Sequence, residues 1–280
     1  MIYQEYRPAP YLRPFIECYW SAVSDRPPFQ AREALIPDGT IELMFNFGDR
    51  YQQWVDNQPK AIKGSHLIGI RESALFITQS SRQDFFSVRF KTGGFYPFFG
   101  VPAHLFASQI EDAQSVLGGI ILELEDRLFE APNAAERIAL LDSFFLQHLN
   151  LQTAATDLTR HFLRASTQQP LASVGSLMEV LGTKAYKRTE RYFKTATGLS
   201  PRHFLKIQRF NRSVQMMYMG LPGGLTEVAL AAGYYDQAHF NRDFKALTYQ
   251  SPRKFLRQQF KIVEVIQPAL AERLSKTYNF

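Results

Sequence analysis

An offset of 51 residues constrains this chain more than any other feature, because the stretch from Lys184 to Pro252 repeats itself in register at that distance. Arg191-Tyr192-Phe193-Lys194 recurs as Arg242-Asp243-Phe244-Lys245, and Ser200-Pro201-Arg202 recurs as Ser251-Pro252-Arg253. Gly182 pairs with Gly233, Phe204 with Phe255 and Leu205 with Leu256. One supersecondary unit is therefore present twice.

Each copy reads as a short helix, a turn at glycine and a second helix. In the second copy Leu225, Val228, Ala229 and Ala232 have helical spacing and Gly233 supplies the turn. Asp236 suits the N-cap of a helix that carries Phe240 and Phe244 on its inner face. Gln237, His239, Asn241 and Arg242 then face outward, which is the grammar of a helix-turn-helix. Ser200-Pro201 starts a long helix through Phe204, Ile207, Phe210, Val214 and Met217, which links the copies until Gly220-Leu221-Pro222-Gly223-Gly224 stops it. A stiff link of this kind holds two reading helices about 34 Å apart, one major-groove repeat.

Charge is informative once the chain is divided. Residues 1–150 carry 13 Lys+Arg against 18 Asp+Glu, net −5, whereas residues 151–280 carry 19 against 8, net +11. Only the second half therefore suits a polyanion. Between Lys184 and Lys261 stand 15 basic residues and four acids, Glu190, Glu227, Asp236 and Asp243, on the same stretch as the repeat.

The first 110 residues read mainly as strands. Prolines at 8, 10 and 14 make an extended lead-in, an aromatic run follows from Phe15 to Trp20, and Pro37-Asp38-Gly39 turns into a strand through Phe47. His66–Ile70, Ala74–Gln79 and Phe85–Lys91 are further strand candidates. From Ile110 the period becomes helical: Leu117, Ile120, Ile121, Leu124 and Leu128 form one face, and Ala134–Leu149 a second helix after Pro132-Asn133. This helix pair suits a connector or a dimer face. The expected fold is α+β: a β-rich domain over 1–110, a helical connector over 111–150, an all-α unit of two helix-turn-helix motifs joined by a long helix over 151–262, and a docked helical tail over 263–280.

The repeat resembles the DNA-binding module of AraC-type transcriptional regulators over roughly residues 156–259. The matching residues are Arg191 to Pro201, Arg209-Phe210, Val228-Ala229-Leu230-Ala231-Ala232-Gly233-Tyr234, and Phe240-Asn241-Arg242-Asp243-Phe244-Lys245 with Ser251-Pro252. Thr189 stands where the family usually has leucine, and Tyr249 where it has glycine. The front half resembles a domain of uncharacterised function that often precedes such modules, through Tyr6-Arg7-Pro8, Arg13-Pro14-Phe15-Ile16, Tyr19-Trp20, Leu35-Ile36-Pro37-Asp38-Gly39, Glu42-Leu43 and Val88-Arg89-Phe90-Lys91 with Gly93-Gly94. The resemblance implies sequence-specific binding of double-stranded promoter DNA, contact with RNA polymerase, more often activation than repression, and a front domain that senses a small-molecule effector or holds a homodimer.

Matched position by position, the resemblance implicates Lys187, Glu190, Arg191, Gln237, Ala238, His239 and Arg242 in reading bases. Arginine pairs bidentately with guanine, glutamine with adenine, Ala238 touches a thymine methyl and Glu190 accepts from cytosine. Arg188, Lys194, Arg202, Lys206, Lys245, Arg253 and Lys254 are expected on phosphates. Tyr234 and Tyr235 are expected in packing. Glu42, in an apolar strand, is expected to pair with Arg89 across a sheet, the alternative being that the two belong to an effector site. Asp38 is expected to form its turn.

No cofactor or metal is implied. The six histidines lack metal-binding spacing, no Gly-x-Ser-x-Gly elbow is present, and a single cysteine, Cys18, excludes an intrachain disulfide. Cys18 is expected as apolar filler, the alternative being an acceptor of alkyl groups from damaged DNA. No apolar run reaches the roughly 18 residues of a membrane span and no signal pattern opens the chain, so a cytoplasmic, non-enzymatic regulator is expected.

Overall fold

A computed structural model of the chain describes residues 2–25, 32–79, 82–182, 186–219 and 223–257. The expected tail over 263–280 and the stop at Gly220 to Pro222 lie outside these residues.

The front half contains ten strands: β1 (Ile2–Tyr6), β2 (Ile16–Ser24), β3 (Glu33–Leu35), β4 (Ile41–Asn46), β5 (Tyr51–Val55), β6 (Gln58–Ile62), β7 (His66–Ile68), β8 (Leu75–Thr78), β9 (Gln83–Phe90) and β10 (Ile110–Asp112). They form two antiparallel sheets, ordered β1-β2-β9-β4-β7-β10 and β3-β8-β5-β6. Strand β4 is buried along its whole length, and its two faces serve different cores. Ile41, Leu43 and Phe45 join the larger apolar cluster, while Met44 points with Trp20 and Phe85 toward the second sheet. This is the period-two pattern of a strand covered on both sides.

Three features depart from the expected pattern. The lead-in through the prolines begins as β1, paired with β2 from Ile2↔Val23 to Tyr6↔Tyr19. Strands β5 and β6 form a hairpin, closed by Asp56 and Asn57, both at positive φ, with Val55 opposite Gln58. The two-residue Asp-Asn turn is the signal that could have found it. Residues 110–112 form a strand on the edge beside β7, so helix begins only at Ala113.

The helices are α1 (Tyr96–Phe99), α2 (Ala113–Leu117), α3 (Ile120–Glu130), α4 (Ala134–His148), α5 (Ala154–Gln168), α6 (Val174–Val180), α7 (Tyr186–Thr197), α8 (Pro201–Tyr218), α9 (Gly224–Ala231), α10 (Gln237–Thr248) and α11 (Pro252–Arg257), with a 3-10 turn at Ala103–Phe106. The helix expected around Leu117 to Leu128 is broken at Gly118-Gly119 into α2 and α3, because Gly118 adopts φ 75° and ends α2. None of the helices among the described residues is long and apolar enough to cross a membrane.

The larger apolar cluster does not stop at the end of the front half. It runs from Phe90, Phe98 and Phe145 into Phe162, Phe193, Phe204, Phe210 and Phe244 of the helical half. Burial of this continuous surface stabilises the two halves against each other by the same hydrophobic term that folds each one.

Candidate nucleic-acid interface

The repeat seen in the sequence holds at the level of single contacts. Phe193 of α7 packs on Phe204 with ring centroids 5.5 Å apart, and Phe244 of α10 packs on Phe255 at 5.2 Å. Thr197 Oγ1 donates to Phe193 O at 2.8 Å and accepts from Leu199 N. Thr248 Oγ1 donates to Phe244 O at 2.8 Å and accepts from Gln250 N. Ser200 accepts from His203 N to cap α8, as Ser251 accepts from Lys254 N ahead of α11. Helices α7 and α10 are thus set into equivalent seats.

Each seat buries one helix face and leaves the other to solvent. In α7, Thr189, Phe193, Ala196 and Thr197 are buried, whereas Lys187, Arg188, Arg191 and Lys194 are exposed and Glu190 is half-buried. In α10, Phe240, Phe244, Leu247 and Thr248 are buried, while Ala238, Arg242 and Lys245 are exposed and Gln237 and His239 are half-buried. Asp236 caps α10 by accepting from His239 N at 2.7 Å. Neither Arg191 nor Arg242 takes part in an ion pair among the described residues, so Glu190 and Asp243 do not hold them. Arg191 instead lies over the Tyr192 ring at 5.1 Å.

Other groups are held more closely than the sequence implied. Lys206 pairs with Asp243 at 3.1 Å, and His239 Nε2 lies 3.5 Å from the same carboxylate. Thr226 Oγ1 donates to Gln237 Oε1 at 2.7 Å, which orients the amide and still leaves its NH2 outward. Arg202, Arg253 and Lys254 are exposed. Tyr234 is buried and burial raises its pKa, as packing requires, but Tyr235 is 87% exposed, which corrects the expectation that both tyrosines pack.

A buried arginine ties the copies together. Arg212 of α8 is 2% exposed and donates to Ala232 O at 3.1 Å and Pro170 O at 3.0 Å, satisfying two carbonyls left over at helix ends. The departure at Thr189 has a visible consequence: the residue is 1% exposed and its hydroxyl has no hydrogen-bond partner. Leucine would fill the seat without that desolvated group.

In the front half a cavity lies between the two sheets. Trp20, Glu42, Met44, Phe85 and Arg89 line it from the larger sheet, Tyr51, Ile77 and Gln79 from the smaller one, with Arg71 at its side. Glu42 and Arg89 form the expected cross-sheet pair, Arg89 Nε to Glu42 Oε1 at 2.8 Å, with Trp20 Nε1 donating to Oε2 at 3.2 Å. Burial opposes the Arg89 charge, but Glu42 and its neighbours raise its pKa well above the usual value. Asp38 accepts from Thr40 N to form its turn and also pairs with buried Arg71, a partner the sequence did not suggest. Gln79 is buried and its Oε1 has no hydrogen-bond partner. Cys18 is buried within β2, with Arg89 Nη1 at 3.7 Å from its sulfur.

His66 sits beside this cavity and is fully buried. Its Nδ1 lies 2.9 Å from Gly64 O, which can only accept, so Nδ1 carries the proton and Nε2 accepts from the Tyr51 hydroxyl at 2.7 Å. Desolvation lowers its pKa to about 4, against a smaller opposing effect of the Gly64 carbonyl and of Glu42 and Asp112. No group of three or more metal-ligating side chains occurs among the described residues.

Residues 184–258 match a family described as a helix-turn-helix domain, and residues 4–112 match a domain of unknown function (DUF6597). No curated protein is matched by the chain. Among solved structures, ToxT from Vibrio cholerae O395 is similar at 12% identity over 85% of this chain and 96% of that one, with a TM-score of 0.46. ToxT bound to (E)-4-(8-methylnaphthalen-1-yl)but-3-enoic acid is similar at 12% identity over 85% and 98%, with a TM-score of 0.47. A cupin domain of an XRE family transcriptional regulator from Enterobacter cloacae is similar at 15% identity over 32% and 94%, with a TM-score of 0.25.

Proposed function

From the premise that this chain carries an AraC-type helix-turn-helix domain behind a domain of unknown function, and so is a DNA-binding regulator, we propose that α7 and α10 read two neighbouring major-groove segments of one promoter duplex. The observation that carries this reading is the equivalence of the two seats. Matching phenylalanines fix both helices from behind, and Arg191 and Arg242, one repeat apart, stand exposed in front.

In this reading Arg191 and Arg242 pair with guanine O6 and N7, and Gln237 pairs with adenine, its amide oriented by Thr226. Ala238 meets a thymine methyl, Glu190 accepts from cytosine N4, and Lys187 and His239 complete the reading faces. Arg188, Lys194, Arg202, Lys245, Arg253 and Lys254 contact phosphates, and Lys206 joins them by exchanging its bond to Asp243. The cavity between the sheets holds a small-molecule effector, for which the unpartnered oxygen of Gln79 supplies an acceptor. Exposed Leu122 and Phe129 on α3 and Leu146 on α4 favour a second reading, in which the front half acts as a dimer contact without an effector.

The test is binding of the full chain to duplexes from its own upstream region and to scrambled duplex across a salt series, beside an Arg191→Ala/Arg242→Ala variant. Preference for one native duplex should be lost in the variant, each bidentate pair supplying about 1–3 kcal/mol of discrimination. Log affinity should fall linearly with log salt. A variant that keeps the wild-type preference would remove both arginines from base reading.

A further inference from the structure

The segment from Ile70 to Ile77 meets the cavity wall at Arg71 and at Ile77, and around and between these it touches both copies of the repeat. Arg71 lines the cavity, where it pairs with Asp38 and donates to Ile36 O at 3.0 Å. The next residues leave the front half. Glu72 O accepts from His203 Nε2 of α8 at 3.1 Å, Ser73 Oγ meets the Tyr249 hydroxyl at 2.8 Å, and Ala74 N donates to Leu247 O of α10 at 2.8 Å. Phe76 packs on the Tyr249 ring at 6.0 Å, and Ile77 is back in the cavity. At the other end Ile70 Cγ2 approaches Gly198 so closely that a side chain there would have no room.

Gly198 and Tyr249 are the same position of the repeat, one residue past the end of α7 and of α10. Both adopt left-handed backbone, φ 83° and 60°. Glycine does so without penalty, whereas the Cβ of any other residue crowds the following carbonyl oxygen there. Tyrosine is thus a poor terminator for α10 by itself. Its ring and hydroxyl supply what a glycine could not, a contact with Ser73 and Phe76 of the front half.

We propose that Ile70–Phe76 is a crossbar which fixes α10 relative to α7, and that Tyr249 is the positioning residue through which the front half sets the operator spacing the protein accepts. This rests on the two-helix reading of DNA above. A base pair inserted between two half-elements turns one by about 34° and moves it about 3.4 Å relative to the other. The crossbar adds to the hold that α8 and Arg212 already have on α10, through Phe210 against Phe244 at 5.1 Å and the Arg212 bond to Ala232 O. Without it α10 has more freedom to follow that change.

The experiment uses the full chain and its Tyr249→Gly and Tyr249→Phe variants. Glycine relieves the left-handed strain, so the end of α10 folds at least as well without the contact. Hydrogen exchange at the Ala74 amide reads the crossbar, and binding to the preferred native duplex with one base pair inserted or deleted between the two half-elements, mapped first by footprinting, reads spacing. We expect exchange about tenfold faster in Tyr249→Gly, and a spacing discrimination of at least tenfold in wild type reduced to under threefold. Tyr249→Phe keeps its ring on Phe76 and should retain most of both. Wild-type discrimination persisting in Tyr249→Gly overturns the proposal, whether or not Ala74 exchanges faster. Relaxed spacing with unchanged exchange overturns it as well, because the effect would not pass through the crossbar. A wild type that prefers no duplex refutes the DNA reading instead, and unchanged Ala74 exchange would then also dismiss the crossbar.

Discussion

Acid should loosen the front half through one residue. His66 is neutral and buried, with Nδ1–H on Gly64 O and Nε2 accepting from Tyr51. Its folded pKa of about 4 lies below the unfolded value of 6.5. Between these values the unfolded chain binds the proton and the folded chain does not, so stability rises with pH across the window and is lost as pH falls from 6.5 toward 4. At 1.36 kcal/mol per pH unit the whole window is about 3 kcal/mol, of which about 2 kcal/mol disappears between pH 7 and pH 5. Both tryptophans, Trp20 and Trp54, lie in this half, so their fluorescence in a urea titration follows its unfolding. Carboxylates also titrate in acid, and His66→Gln separates the contributions. The variant should be less stable at pH 7, since Tyr51 or Gly64 loses its partner, yet lose about 2 kcal/mol less than wild type on going to pH 5. Parallel losses in the two proteins would show that His66 takes up its proton in the folded state and refute the argument.

Two further substitutions test the packing described above. Arg89→Met leaves the buried Glu42 carboxylate with the Trp20 indole as a donor but no counter-charge beside it, and should destabilise the front half by about 3–5 kcal/mol, read by the same fluorescence titration. Adding Glu42→Gln should recover part of that loss, because the larger cost is the uncompensated charge. Thr189→Val keeps the shape of the seat under α7 and removes a buried, unpartnered hydroxyl, so it should stabilise by about 1 kcal/mol in calorimetry; a loss of stability would mean that the hydroxyl has a partner.

What was legible in the sequence follows from how locally it is encoded. The repeat exposed the seats of α7 and α10, because the glycine, phenylalanine and Ser-Pro positions each act within a few residues of themselves. Ser200 and Asp236 cap the helices that their positions announced. The Glu42–Arg89 pair could be read from an acid stranded in an apolar strand. Strand β10 could not: its three residues pair with β7 across more than forty positions, and no local pattern marks so short an edge. Arg71 gave no sign of its pairing with Asp38, and Lys206 none of its bond to Asp243, since ion pairs between distant elements leave no periodicity. Tyr235 was misjudged because adjacent tyrosines at a turn must point apart, and the buried place went to Tyr234.

The departure at Tyr249 acquires its meaning beside Gly198, which holds the same position in the first copy. Helix α7 is bound to the front half through the shared apolar cluster, where it packs against the 3-10 turn at Ala103–Phe106 and against α1, with Gly198 pressed on Ile70 and Ala103. Helix α10 meets the front half mainly through Leu247, Tyr249 and their partners in the crossbar. Apolar burial over a wide surface is hard to shift in small steps, whereas two hydrogen bonds and one ring contact are few enough to exchange. Helix α7 therefore behaves as part of the front half, and α10 as the helix whose placement depends on the few contacts of the crossbar. On the proposed reading of DNA, a change in the crossbar alters the fit of α10 to its half-site while α7 keeps its hold on the other.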